Sequence, residues 1–331
     1  MNDSVSVLTL FLFNIVLVNI PLLYGTVGEI LVEKSGSLDL GVEGTMAIGA
    51  IFGYLAGCAA DSLLVGLAVS FLTAGLCGLL FAVLTVSFQA NQNVTGLTIT
   101  TFGLGLYFFV GKGIGEKWPA MTSSSALVDG FAPVELPLLS KIPMLGKAFF
   151  SQNLLVYLGI GTAVLVWWYL HCTKTGLRLR AVGENPGAAD SVGVNIVLYK
   201  FAHLIAGSGI MGLGGFYMAL YMSGSFEGSN CWINGYGWIA IALVIFANWN
   251  PVLAILGTLV FGFFNTLQIY AGALAGAFPG ALGWLGSVPP HLLKALPFLI
   301  TAIVLIASSI RAREGSGQPA ALGMNYFREE R

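Results

Sequence analysis

The sequence predicts an all-α, polytopic helical membrane protein with about nine transmembrane helices, eight to ten being tolerable, and with broken or re-entrant segments among them. Three observations predict it. Only 9% of the 331 residues are Asp, Glu, Lys or Arg, where soluble domains average about 25%, so a water-facing surface cannot be covered. Hydrophobic residues make up 56% and the mean hydropathy is +0.86. The charges that do occur are clustered and leave long intervals empty. A net charge of −1 offers nothing to attract a nucleic acid.

The empty intervals give the spans in order, because about 20 apolar residues cross the hydrocarbon core as a helix. Ser4 to Gly28, 25 residues, is the first; it is too long and lacks the basic start of a signal peptide. Gly44 to Ala60 is the second. Ser62 to Gly111, 50 residues, holds two spans broken near Gln89, Asn91, Gln92 and Asn93. Ala148 to Thr173 and Phe201 to Phe226, 26 residues each, hold one apiece. Gly228 to Leu293, 66 residues, holds two more, broken near Asn248, Asn250 and Pro251. Its remainder, Gly272 to Pro290, is rich in Gly and Pro and reads as a loop or re-entrant stretch. Ala295 to Ile310 is the last. A β-barrel would show alternating ten-residue strands, and these continuous apolar blocks do not.

Lys and Arg near span ends set the orientation. All six Arg residues fall in the loop 174–196, as Arg178 and Arg180, or in the tail 311–331, as Arg311, Arg313, Arg328 and Arg331. Both segments are expected to be cytoplasmic. The loop 112–147 has four Lys balanced by Glu116, Asp129 and Glu135 and fits the opposite side. An external amino terminus satisfies these placements and puts Lys34 inside. The transmembrane domain is then 1–310, followed by the tail.

Catalytic constellations are missing from the sequence. Gly111 to Gly113 and Gly146-Lys147 lack the glycine spacing and the Ser or Thr of a phosphate-binding P-loop. His171, His203 and His291 lie far apart with no metal-binding spacing, so no metal site is expected. His203 reads as a hydrogen-bonded core residue. The four Cys residues form no CxxC pair. Gly207, Gly209, Gly212, Gly214 and Gly215 read as a helix-packing surface, since small residues let membrane helices approach.

Polar residues gather in three places. From Gly28 to Gly49, Glu29, Glu33, Asp39 and Glu43 alternate with apolar residues, which suits an interface before a span that starts at Glu43. Asp39 and Glu43 serve either as carboxylates at a helix start, favoured by its dipole, or as gating groups at a helix break. Asn91, Gln92, Asn93, Thr95, Thr98, Thr100 and Thr101 are too polar to face lipid unpaired; they line a solute path or glue helices together. Between Thr175 and Ile196, Asn185 and Pro186 read as N-cap and first position of a short helix. Its small residues, Ala188 and Ala189 among them, would let it enter another protein's groove.

The segment TGLRLRAVGENPGAADSVGVNI resembles the cytoplasmic coupling loop of permease subunits in bacterial ABC importers of the branched-chain amino acid, ribose and nucleoside type. EKSGSLDLGVEGTMAIGA, Glu33 to Ala50, resembles that family's early signature, and GYGWIAIALVIFANWNP, Gly235 to Pro251, its later one. The tail QPAALGMNYFREER is similar to the nucleoside-type branch. Asp39 stands where relatives often have Asn, and Ala247-Asn248 where many have Gly and a basic or polar residue.

The resemblance implies that this chain forms half of a solute pathway in the bacterial cytoplasmic (inner) membrane. A second permease subunit, read as a different chain, supplies the other half. A cytoplasmic ATP-binding subunit carries the ATP and Mg, an extracytoplasmic substrate-binding lipoprotein delivers solute, and no cofactor sits in this chain. Arg178, Arg180, Glu184, Asn185, Pro186, Ala188 and Ala189 would form the coupling joint, and spans five and six its lever. Asn91, Gln92, Asn93, Thr95, Thr98, Thr101 and Trp238 are the candidate pathway. EGTMAIGAIFG (Glu43 to Gly53) and YGWIAIALVIF (Tyr236 to Phe246) form a faint internal repeat.

Nucleosides, purine nucleosides foremost, are the expected solute, with riboflavin or a simple sugar as alternatives. An ion-coupled secondary transporter would need carboxylates deep in the spans, and an integral-membrane enzyme would need paired acids or a metal cluster there.

Overall fold

The computed structural model describes residues 2–117, 124–135, 140, 145–222, 231–311 and 317–327. Arg313, Arg328, Arg331 and Lys141 lie outside these. The chain opens with α1 (Asn2–Leu17) and α2 (Ile20–Glu33), then α3 (Val42–Ala60), α4 (Leu63–Ala82) and α5 (Gln92–Lys117). Two short helices, α6 (Ser125–Gly130) and α7 (Leu145–Phe149), precede α8 (Leu154–Cys172). Next come α9 (Lys174–Glu184), α10 (Pro186–Ser191), α11 (Ile196–Tyr221) and α12 (Tyr236–Phe246). The last are α13 (Pro251–Ala277), α14 (Pro279–Leu282) and α15 (Pro290–Arg311).

Among the described residues, seven helical stretches, the first made of α1 and α2 together, are long and apolar enough to cross a membrane, and two shorter apolar helices lie at Tyr236–Phe246 and Pro290–Ile300. Each of the nine expected spans therefore carries an apolar helix, and the described residues form no strand beyond one isolated Pro133–Asn153 bridge. Both expected breaks are present. After a π-helical turn at Val83–Ser87, the chain leaves the helix with Gln89 at φ +56°. Asn248 and Trp249 take φ +49° and +55° before Pro251 opens α13.

Three expectations need correction. The interval Gly228 to Leu293 does not hold two full spans. With 11 residues, α12 is about 16 Å long against a core of about 30 Å, because Gly235 at φ +91° opens it late. Gly272 does not begin a loop, since α13 runs on to Ala277; alanines offset the glycines there, and the first helix-breaking residue is Pro279.

The third correction concerns residues 28 to 43, which are interior rather than interfacial. Glu29, Glu33, Asp39 and Glu43 are all buried. Protein groups replace water as partners: Trp249 Nε1 donates to Glu33 Oε2, Gly41 N to Asp39 Oδ1 at 2.7 Å, and Leu38 N to the Gln92 side chain at 2.7 Å. Glu33, Asp39 and Glu43 have bonds met inside the protein and so do not need the interface, whereas both carboxylate oxygens of the buried Glu29 lack a hydrogen-bond partner among the described residues.

The core is organised around α11. Its Gly207 lies against Gly28 of α2, and its Gly212 against Gly49 of α3, where a Cβ on Gly49 would stand 2.5 Å from the Gly212 Cα. Lipid tails are as apolar as the side chains, so such close backbone packing is what holds the helices together. His203 on α11 bonds the Tyr199 carbonyl through Nδ1 at 2.6 Å and the Tyr169 hydroxyl through Nε2 at 2.7 Å. A carbonyl only accepts, so Nδ1 carries the proton and Nε2 accepts; the ring is a satisfied core residue.

Candidate functional site

The loop after α8 folds into a zigzag fixed by three side-chain caps. Thr173 Oγ1 accepts from Gly176 N at 3.0 Å, Asn185 Oδ1 from Ala188 N at 2.9 Å, and Asn195 Oδ1 from Leu198 N at 3.0 Å. Pro186 occupies the first turn of α10, as its fixed φ favours. Ala189 is buried in a small cluster with Val182, Val194 and Ile196, which pins α10 to α9 and α11. The outer face keeps Ala188, Arg178 and Glu184 exposed and Arg180 half-buried, and Val192 projects with 78% of its surface free. Of the remaining predicted coupling residues, Asn185 is exposed and Pro186 half-buried, whereas Ala189, expected among them, is buried because it packs α10 onto α9 and α11.

The tail completes that surface, a role the sequence did not reveal. Gly317 N donates to Asn248 Oδ1 at 2.8 Å, and its carbonyl accepts from Lys34 Nζ at 2.6 Å. Ala320 N reaches Glu184 Oε2 at 3.2 Å, Ala321 N the Gly183 carbonyl at 2.9 Å, and Tyr326 OH the Asp190 carboxylate at 2.9 Å. Asn325 Nδ2 donates to the Gln89 carbonyl at 2.7 Å, and Gln92 Nε2 to Asn325 Oδ1 at 2.9 Å. One strap therefore ties together both broken-helix turns, the segment after α2 and the helices α9 and α10. Lys34 is half-buried under it, and burial pushes its ammonium below the ordinary lysine range.

Above the strap, Glu43 on the first turn of α3 accepts Gly235 N and Gly237 N, each at 2.7 Å. The expected helix-start role holds for another helix: α3 begins at Gly41 without a side-chain cap, and the carboxylate caps α12 instead. Asp39 likewise bonds Gly41 N within its own turn. The openings of the two repeat-like helices thus meet face to face.

Of the α5 threonines, Thr100 donates to the Leu40 carbonyl at 2.9 Å, and the other three find partners in or beside their own helix. Thr95, Thr98 and Thr101 each donate to the carbonyl four residues earlier, at 2.8, 2.8 and 3.0 Å, so Thr98 and Thr101 sit exposed with their hydroxyls satisfied. Asn91 Oδ1 accepts from Val94 N at 3.1 Å, closing the start of α5, Asn93 is exposed, and Gln92 is buried as the clamp described above. Trp238 is half-exposed on α12. The first turn of α3 separates it from α5, with Gly237 on one side and Thr100 on the other.

The structure gathers a different polar group. A cavity of ≈ 500 Å³ lies where the far end of α11 meets α12, α13 and α15, lined by Tyr221, Trp232, Asn234, Tyr236, Asn265 and Gln268 among others. Asn265 Nδ2 donates to Tyr236 OH at 3.1 Å and Asn19 Oδ1 at 2.9 Å, and Gln268 Nε2 donates to Asn265 Oδ1 at 3.3 Å. The Trp232 ring is held edge-on by Tyr54 and Tyr107, at centroid distances of 5.3 and 5.6 Å. Burial pushes the Cys231 thiol up to about 11, so it remains neutral beside the cavity. Asn265 and Gln268 were missed because their short polar group, with Thr266, lies inside a long apolar run; their three-residue spacing on one helix face was the available signal.

A family described as branched-chain amino acid transport system, permease component, matches residues 11–306. The chain belongs to that family. This permease is also 32% identical to a nucleoside ABC transporter permease of Lactococcus lactis, over 99% of the chain and 100% of the relative. It is 32% identical to a guanosine ABC transporter permease of Bacillus subtilis, again over 99% and 100%. A putative glucose ABC transporter permease of Haloferax volcanii is 31% identical over 93% of the chain and 94% of its own length. No solved structure matches the chain. The protein is a multi-pass membrane permease of an ABC transport system, in which ATPase and substrate-binding functions belong to other subunits.

Proposed function

We propose that this permease forms half of an ATP-driven pathway importing nucleosides across the bacterial cytoplasmic membrane, purine nucleosides foremost. The observation that carries the reading is the cavity of ≈ 500 Å³, where aromatic rings and amides line one wall. A nucleobase presents a flat π-face and edge heteroatoms, and its ribose presents hydroxyls. Tyr221, Trp232 and Tyr236 supply the faces, while Asn234, Asn265 and Gln268 supply both donors and acceptors. Among the described residues the cavity lining carries no Asp, Glu, Lys or Arg, which suits a neutral solute. The names of the nucleoside and guanosine relatives support the same class. A simple sugar is the second reading, favoured by the glucose permease relative.

The mechanism follows from α11. Its 26 residues make a rod about 39 Å long, with the capped coupling helices at Ile196 and the cavity at Tyr221. A separate cytoplasmic ATPase, holding ATP and Mg, receives α10 in a groove, and its closure swings α8 and α11 together as the lever. Arg178, Arg180 and Glu184 make polar contacts around the groove, and Ala188 faces it. This chain needs no cofactor of its own. The second pathway half comes from a different permease chain, and an extracytoplasmic lipoprotein delivers the solute to the cavity end. The exposed faces of α5 and α12, with Asn93, Thr98, Thr101 and Trp238, turn toward the partner half.

The test is ATP hydrolysis by the whole transporter in liposomes, with the binding protein supplying nucleosides, sugars or riboflavin. Stimulation by purine nucleosides is expected. Stimulation by sugars alone would replace the solute, and ATP-independent transport by this chain alone would remove the mechanism.

A further inference from the structure

A second cavity, of ≈ 370 Å³, lies between the coupling helix and the docked tail. Three elements wall it: the turn between α4 and α5, the passage from α10 into α11, and the tail through Asn325 and Tyr326. Most of its amide donors are already used. Gln89 Nε2 donates to the Tyr326 carbonyl at 3.4 Å, Gln92 Nε2 to Asn325, and Asn325 Nδ2 to the Gln89 carbonyl. Lys200 is the exception. It lines the cavity with only 5% of its surface exposed, and its ammonium has no hydrogen-bond or ion-pair partner among the described residues.

Beside it, Ile196 and Val197 of the first turn of α11 also line the cavity, and a helix leaves the first N–H groups at its start without partners inside the helix. A buried ammonium next to a positive helix end calls for an anion, since an unpaired buried charge is costly. The opposite wall holds the Asp190 carboxylate, already bonded by Tyr326, which repels a second anionic group and suits a hydroxyl or ammonium donor. The volume lies within the range of small-molecule sites, about 300 to 1,000 Å³.

We propose that this cavity is a regulatory site for an organic phosphate whose other end carries a hydrogen-bond donor. The phosphate rests on Lys200 and the start of α11, and the donor rests on Asp190. A cytosolic nucleoside monophosphate has this chemistry, and so does an inner-leaflet phospholipid with a hydroxyl or amine on its headgroup. Because α10, the α4–α5 turn and the tail all contribute walls, a ligand that fits their docked arrangement holds the coupling helix against movement and slows solute-stimulated ATP hydrolysis.

The experiment uses the complete transporter, wild type and Lys200→Met, in nanodiscs. One arm titrates guanosine monophosphate, with inorganic phosphate as the fragment control, into phosphatidylcholine nanodiscs, whose headgroup has no donor. The other compares those nanodiscs with phosphatidylethanolamine–phosphatidylglycerol ones at zero nucleotide. Inhibition in the first arm identifies the soluble source, and inhibition in the second the lipid. In either case Lys200→Met raises the half-inhibiting concentration at least tenfold or removes the lipid difference, while Lys200→Arg retains it. Uninhibited solute-stimulated hydrolysis equal to wild type shows that the Met variant is assembled; should it fail to assemble, Lys200→Gln takes its place. Inhibition that is identical in wild type and variant, or absent in both arms, overturns the proposal.

Discussion

The carboxylate of Glu43, at the start of α3, receives the backbone N–H of Gly237, at the start of α12, at 2.7 Å, and that of Gly235 at the same distance. Two helix openings nearly 200 residues apart are thereby locked to each other, and a half-length helix gains the anion its positive end favours. Glu43→Ala leaves two N–H groups without partners at a cost of roughly 2 to 4 kcal/mol, whereas Glu43→Gln keeps one acceptor and loses less. Thermal unfolding of the detergent-purified permease should rank wild type above Gln above Ala; equal melting of all three contradicts the lock.

Gly49 and Gly212 let α3 and α11 touch backbone to backbone. Neither backbone can yield to a new Cβ without moving a whole helix, so Gly49→Ala should lower stability by about 1 to 3 kcal/mol, the cost of overpacking. Ser70 Oγ of α4 donates to the Gly212 carbonyl at 2.7 Å beside that contact, and a shift of α11 would disturb that bond too. Yield of monodisperse protein and its melting temperature are the readouts.

Asn185 caps α10 through Ala188 N. Asn185→Ala should cost about 1 kcal/mol locally and fray the helix proposed to meet the ATPase, lowering solute-stimulated ATP hydrolysis. Asn185→Asp preserves the acceptor and should keep most of the rate. Similar rates in Ala and Asp variants would place the coupling contact elsewhere.

Removing residues 317–331 takes away the strap that joins Lys34, Asn248, Glu184 and Gln92. The expected outcome is a transporter that still hydrolyses ATP but whose hydrolysis responds several-fold less to solute, measured in the same liposomes with and without loaded binding protein. An unchanged response would reduce the tail to a cover.

Asp39 is buried, and that burial pushes its carboxyl up to about 6 from an ordinary 3.8, against the opposing bond from Gly41 N. The folded state therefore holds the proton more tightly than the unfolded state. Its contribution to stability is full below about pH 3.8, falls as pH rises through about 6, and is flat above. The span amounts to about 3 kcal/mol at most. Asp39→Asn keeps the acceptor for Gly41 N, so it should stabilise the permease at pH 8 and flatten its melting temperature between pH 4 and 7. A variant that melts with the wild-type pH profile would assign that dependence to other groups.

The sequence by itself determined the membrane class, the order of the spans and the two breaks, because the cost of placing charge or unpaired backbone in lipid leaves its mark on composition. It also determined the Asn185–Pro186 helix start and the glycine face of α11, since capping and close packing depend on residues near in sequence or on one helix face. Only the tertiary structure decided where the carboxylates went. Glu33, Asp39 and Glu43 look interfacial until Trp249, Gly41, Gly235 and Gly237 supply their bonds. Thr95, Thr98 and Thr101 of α5 find acceptors in their own helix, while Asn19, Asn265 and Gln268, unremarked in two apolar stretches, converge beside Tyr236. Polarity along a chain records which groups need partners; which partners they find depends on helices that meet only after folding.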